Sequence, residues 1–78
     1  MQELIEFIVK SIVDNKDVVS VERVQDDRYT TYHVTVAQED IGGVIGKGGK
    51  IAEAIRTIVK SANSRERARI KFDAKKGE

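Results

Sequence analysis

The chain has no cysteine, no proline and no tryptophan in 78 residues, and only one histidine. Without cysteine it has neither disulfide staples nor thiolate metal ligands, a composition compatible with a reducing cytosol. His33 stands alone on the polar side of an alternating segment. No second ligand pattern and no nucleophile accompany it, which argues against a metal site or a catalytic residue. No apolar run approaches the roughly 20 residues of a membrane span. The start, Met1-Gln2-Glu3, has no basic segment of the secretory type. A cytoplasmic protein without membrane contact, cofactor or small-molecule substrate is the expectation. Charge of one sign is missing as well: 14 Lys and Arg face 13 Asp and Glu, a net of +1.

What is present is one small domain spanning 1–78, with a marginal core and little room for a buried active site. Its charges are unevenly placed. Positions 1–40 carry more acid than base, and positions 46–76 hold most of the basic residues, so one face can present positive charge to a polyanion. Leu4, Phe7, Ile8 and Ile12, widened by Ile5, Val9 and Val13, predict a helix over 2–14. Val18 to Gln25 reads as a strand. Asp26 to Arg28 is a turn, and Tyr29 to Ala37 is a second strand with Tyr32, Val34 and Val36 on one face. Gln38 to Ile45 is a short helix weakened by Gly42 and Gly43, a cost suggesting that side chains are kept out there for a close approach. Ile51, Ala54, Ile55, Ile58, Val59 and Ala62 mark a helix over 49–62. Arg65 to Asp73 alternates as a third strand, with Arg65, Arg67, Arg69 and Lys71 on a face read as solvated, and 73–78 as a polar tail. The order is α-β-β-α-α-β. Three strands with one apolar face each, covered by three helices, make an α+β domain.

The segment Asp40 to Ile51 decides the function. Gly46-Lys47-Gly48-Gly49 is a glycine-rich turn with two nearby lysines and no acid, between an aliphatic run and a helix. Glycine admits a polyanion's backbone closely, and the unpaired amides at the start of the next helix face an anion. The Walker pattern fails: counting from Gly43 puts Gly49 where lysine is required, and counting back from Lys50 puts Val44 at the first glycine. The dinucleotide fingerprint fails at Ile51. An ordinary interhelical turn explains one glycine at a helix end, not three in four residues beside Lys47 and Lys50. What remains is Gly-x-x-Gly, the loop by which KH domains clamp a nucleic-acid backbone.

Val44-Ile45-Gly46-Lys47-Gly48-Gly49 resembles the KH core Val-Ile-Gly-x-x-Gly. The whole chain, with Ala54 to Val59 in the next helix, resembles the small bacterial single-KH proteins of the KhpA type. One position departs: Ala52 stands where isoleucine is usual, three residues after the last glycine, so base preference does not carry over. The resemblance implies a type II KH arrangement, with 46–49 joining two helices at the edge of a groove and a variable loop near Ala62 to Glu66. It implies homodimers or pairing with a larger KH-containing RNA-binding protein, RNA chaperone activity, and influence on cell shape and envelope growth.

On this reading the chain binds single-stranded RNA without catalysis. Gly46, Gly48 and Gly49 admit the backbone, Lys47 and Lys50 hold phosphates, and Ile45 and Ile51 support bases. Ile41 and Gly42, and Arg65 and Arg67 beside the variable loop, are further candidate contacts. Ile55, Ile58 and Val59 form a candidate dimer face. An aromatic platform is disfavoured, since Phe7, Tyr29, Tyr32 and Phe72 match no such motif. The rival is a KH-fold interaction adaptor that has lost RNA binding; acid or bulk in the turn would favour it, and Lys47 and Lys50 oppose it. A nucleotide hydrolase fails the motif tests.

Overall fold

The computed structural model describes residues 1–63 and 65–75. Six elements follow in the expected order: α1 (Gln2–Lys10), β1 (Ser20–Gln25), β2 (Thr30–Ala37), α2 (Ile41–Ile45), α3 (Lys50–Ala62) and β3 (Ala68–Lys75). Short 3-10 turns cover Lys16–Val18, Gln38–Asp40 and Lys47–Gly49. The sheet order is β1-β2-β3. β1 runs antiparallel to β2, with Ser20 opposite Thr35 and Gln25 opposite Thr30. The hairpin closes because the Asp26 carboxylate accepts from the amides of Arg28 and Tyr29 at 2.8 Å each, a local turn available to Asp. β3 lies parallel to β2, with Thr30 opposite Ala68 and Ala37 opposite Lys75. Parallel neighbours need a crossover; here it consists of α2, the glycine turn and α3. A mixed three-stranded sheet with three helices is the α+β architecture of a KH-type domain.

Residue alternation decides which face is covered. β2 buries Thr30, Tyr32, Val34 and Val36 and leaves Thr31, His33 and Thr35 half-buried on the other side. Against the buried face pack Ile5 and Val9 of α1, Val44 of α2, Ile55 and Val59 of α3, and Ile70 of β3. Each such side chain removed from water stabilises the fold by about 1.5–3 kcal/mol.

Several boundaries differ from the sequence expectation, each for a visible reason. α1 ends at Lys10 rather than 14. The Ser11 hydroxyl donates to the Phe7 carbonyl at 2.8 Å, and the amides of Asp14 and Asn15 are taken by the Asp40 carboxylate. β1 begins at Ser20, because Lys16–Val18 forms a turn first. β3 starts at Ala68, since Glu66 is drawn towards the sheet, and continues to Lys75 because pairing with Thr35, Val36 and Ala37 persists. The polar tail expected from 73 is therefore strand to Lys75, and 76–78 lie outside the described residues. Phe7 is not part of the buried stripe: with Ile5 and Val9 in the core, it points away and is 71% exposed. The stripe on α3 also rotates. Ala52, Ile55 and Val59 are buried, while Ile51, Ala54, Ile58 and Ala62 are exposed.

Two carboxylates hold the connections. Asp40, buried at the start of α2, accepts from the amides of Asp14 and Asn15 at 3.2 and 3.0 Å and from the Asn15 side chain at 3.0 Å. Glu66, in the α3–β3 connection, accepts from Tyr32 Oη at 2.9 Å and from Arg23, Thr30 and Asn63 at 3.2 Å each. The Tyr32 hydroxyl, followed by Arg23 and Thr30, lowers the Glu66 pKa below its ordinary value. The Asn15 amide is the main cause of the same shift at Asp40. A carboxylate with a depressed folded-state pKa stabilises above its unfolded pKa, about 4, and that contribution is lost as pH falls through the lower folded value. Thermal melting should therefore be flat from neutral pH to about 5 and decline below about 4. Glu66→Gln should lower the neutral melting temperature and flatten the acid decline, leaving the share that Asp40 and Asp26 contribute. An unchanged pH profile in melts followed by circular dichroism would remove Glu66 from this role.

Candidate nucleic-acid interface

The turn between α2 and α3 is built from backbone conformations that favour glycine. Gly46, Gly48 and Gly49 have φ of 77°, 67° and 77°. Gly46 leaves α2 with its amide bonded to the Gly42 carbonyl at 2.8 Å, and the Gly49 amide returns to the Gly46 carbonyl at 3.0 Å. Gly46 is also sterically fixed: a Cβ there would lie 2.6 Å from Ile51 Cγ1. Gly48 faces open space, and so does Gly49, the left-handed residue that begins α3. Among the described residues no side chain caps the start of α3, and the Lys50 amide turns back to the Lys47 carbonyl. Lys47, Gly48 and Lys50 are exposed around them. Backbone donors, two cations and no carboxylate within the turn make a site that can hold a phosphodiester.

The aliphatic residues on either side are placed as a groove would need. Ile45 is half-buried, and Ile51, against Gly46, is 38% exposed. Ile41 is half-buried and packs on the core. Gly42 and Gly43 are exposed, and a Cβ added to either meets nothing within 4 Å. Among the described residues nothing in the protein therefore requires glycine at these two helical positions.

Arg65 and Arg67 are not brought to the turn. They lie beyond the far end of α3, whose 13 residues span roughly 20 Å. There they border a recess of about 250 Å³ shared with the hairpin residues Gln25 to Thr30. The candidate dimer face divides: Ile55 and Val59 are core, and only Ile58 reaches the surface, 48% exposed. Sequence reasoning passed over a larger groove of about 560 Å³ between α3 and β3, lined by Arg56, Lys60 and the start of β3. Arg56 donates to the Ile70 carbonyl at 3.3 Å and lies 5.5 Å from the centre of the Phe72 ring. The spacing of Arg56 and Lys60, one turn apart on the polar flank of α3, was the available signal. Among the described residues no three His, Cys, Asp or Glu side chains converge as metal ligands, and no helix is long and apolar enough to cross a membrane.

Comparison with known proteins agrees with the fold. A family model described as "KhpA/KhpB, KH domain" matches residues 2–74. An RNA-binding protein KhpA of Caldanaerobacter subterraneus subsp. tengcongensis is 46% identical over 70 residues, covering 90% of this chain and 93% of that protein. The RNA-binding protein KhpA of Oceanobacillus iheyensis is 41% identical over 73 residues, covering 94% and 97%. That of Borreliella burgdorferi is 39% identical over 71 residues, covering 91% and 87%.

Gly42 and Gly43 give a test of whether something outside the protein needs their bareness. Glycine inside a helix costs on the order of 0.5–1 kcal/mol relative to alanine. Gly42→Ala and Gly43→Ala should each raise the stability of the free protein by up to about that amount, and each should weaken binding of single-stranded RNA. Denaturant melts and fluorescence anisotropy on the same samples check both halves. Stabilisation with full affinity would show that the α2 surface is not approached.

Proposed function

This chain belongs to the KhpA/KhpB KH-domain family, and from that membership we propose that it binds single-stranded RNA, without catalysis, through the turn at Gly46–Gly49. The observation that carries the proposal is the conjunction at the turn. Three positive-φ glycines occur in four positions, one of them too tightly packed for a Cβ, with Lys47 and Lys50 exposed beside a helix start that no described side chain caps. The RNA backbone runs over the glycines, its phosphates meet the lysines and amides, and Ile45 and Ile51 support the bases. Gly42 and Ile41 border the same path. A KH loop clamps about four nucleotides, a short site, so a second domain would raise affinity through avidity. A homodimer, or pairing with a larger KH-containing RNA-binding protein, supplies it. Action in the cytoplasm as an RNA chaperone, with an influence on cell shape and envelope growth, completes the proposal.

Lys47→Asp with Gly48→Asp tests the clamp. Gly48 lies near the left-handed helical region, which Asp tolerates better than most residues, and its Cβ would point into open space. The cost to the fold should be no more than about 1–2 kcal/mol. Two carboxylates in place of a cation and a bare Cα should abolish RNA retention in filter binding. Native affinity in the folded double mutant would refute the clamp.

Ile58 tests the pairing. It is exposed on α3 and lies two helical turns from the glycines. Ile58→Lys should leave helicity intact, shift light-scattering mass towards the monomer and weaken RNA binding through lost avidity. A folded variant with unchanged dimer mass would place the interface elsewhere.

A further inference from the structure

α1 and α3 touch each other on the same face of the sheet, and each turns one flank towards a sheet edge. Gln2 reaches from α1 to the Val21 carbonyl of β1 at 3.0 Å. Arg56 reaches from α3 to the Ile70 carbonyl of β3 at 3.3 Å. β1 and β3 are opposite edges of the sheet. At about 100° per residue, Leu4 and Ile8 stand on the flank of α1 away from Gln2, and Ile51 and Ile58 on the flank of α3 away from Arg56. These two flanks look across the helical layer towards one another. Phe7, beside Leu4, is exposed there, and so are Ile51, Ala54 and Ile58. Together they make an apolar strip on the outer surface of the two helices.

An exposed apolar strip on so small a domain marks a contact surface, and the charges of the two helices fit a second copy of this chain. α1 carries Glu3 and Glu6 against Lys10, whereas α3 carries Lys50, Arg56 and Lys60 against Glu53. A copy related by a two-fold axis lays its α3 on this α1 and its α1 on this α3. Each contact then joins an acidic helix to a basic one, and the surface is complementary to itself.

Ile51 belongs both to this strip and to the glycine turn. Its Cγ1, Cβ and Cδ1 lie 2.6, 2.9 and 3.0 Å from where a Cβ on Gly46 would stand, so its side chain is the wall against which the turn folds. Its outer side is exposed about two helical turns from Ile58. Covering the strip takes water away from Ile51 and restricts its rotamers. A fixed Ile51 leaves the turn less freedom to lose when RNA binds.

We infer that pairing and RNA binding are coupled: a second copy seated on the α1–α3 strip, anchored by Phe7 and Ile58, braces Ile51 and so tightens the glycine clamp of the copy it covers. The inference rests on the clamp and the pairing proposed above and adds an effect that avidity does not supply. Avidity needs an RNA long enough to meet two clamps. Bracing raises the affinity of one clamp for one short strand.

The test uses the full chain and labelled oligouridylate and oligoadenylate of about four nucleotides, the length that one KH loop holds. In anisotropy titrations the native dimer should bind them roughly fivefold more tightly than Phe7→Lys or Ile58→Lys, each of which should be monomeric by light scattering. Both positions are exposed, so native helicity should persist, and an added lysine would itself favour RNA, so a loss is not an effect of charge. Coupling is reciprocal, so saturating tetranucleotide should in turn tighten the dimer in sedimentation. Ile51→Ala removes the Cγ1 and Cδ1 that face Gly46. In that background the affinity difference between the dimer and its Ile58→Lys monomer should shrink to within about twofold. Equal tetranucleotide affinity of native dimer and monomeric variants would overturn the coupling and leave clamp and pairing standing. A dimer that Phe7→Lys leaves intact would overturn the seat, and a difference that survives Ile51→Ala would overturn the route through Ile51. No tetranucleotide binding by the native dimer would remove the clamp, a native chain that stays monomeric would remove the pairing, and the coupling falls with either.

Discussion

The contact between the bare Cα of Gly46 and the side chain of Ile51 sets how α2 and α3 meet. A Cβ at position 46 would lie 2.6 Å from Ile51 Cγ1, closer than real Cβ atoms approach a neighbour. α2 and α3 can therefore meet at this angle only over glycine. Once they do, the following backbone turns through two more positive-φ residues, the Lys50 amide turns back to the Lys47 carbonyl, and among the described residues no side chain caps the start of α3. The turn thus combines a packing requirement with the proposed anion site. At Gly46 glycine is required from within, whereas at Gly48, where a Cβ meets nothing, the positive φ and the exposed surface are what favour it.

This helix pair is held at both ends. Asp40 fastens the start of α2 to the loop after α1. Glu66 fastens the connection after α3 to the inner face of β1 and β2. Between them Val44, Ile55 and Val59 bury the unit against the sheet. A phosphate site works best on elements whose positions are fixed beforehand, because little ordering then remains to be done on binding. In a domain of 78 residues, where the core alone is marginal, two hydrogen-bonded carboxylates are an economical way to hold the scaffold. Lys47, Gly48 and Lys50 remain exposed on this scaffold.

The glycine turn was legible in the sequence because its chemistry is local: glycines, lysines and the following helix are consecutive in the chain. The element order was legible for the same reason. The rest depended on partners distant in sequence. Ile55 and Val59 rather than Ile51 and Ile58 face the core because α3 must fit against the sheet, and a stripe that wide does not fix the rotation of the helix. Phe7 looked like core by spacing and is exposed because Ile5 and Val9 define the buried side of α1. Arg23 shares the covered sheet face opposite Tyr32, so that Glu66, 43 residues away, can reach it. No local pattern announces such a triad. The groove at the β3 edge was hidden likewise, since it joins one flank of α3 to a strand whose register only pairing with β2 determines.

RNA is proposed to meet the protein at the glycine turn. The most direct measurement is an amide proton–nitrogen correlation spectrum recorded while a short single-stranded RNA is titrated into isotope-labelled protein. If RNA is held there, the amides of Gly46 to Ile51 move first and furthest, with Gly42 and Gly43 following. Shifts confined to α1 or to the exposed flank of α3 around Ile58, with the glycine amides unmoved, would contradict it.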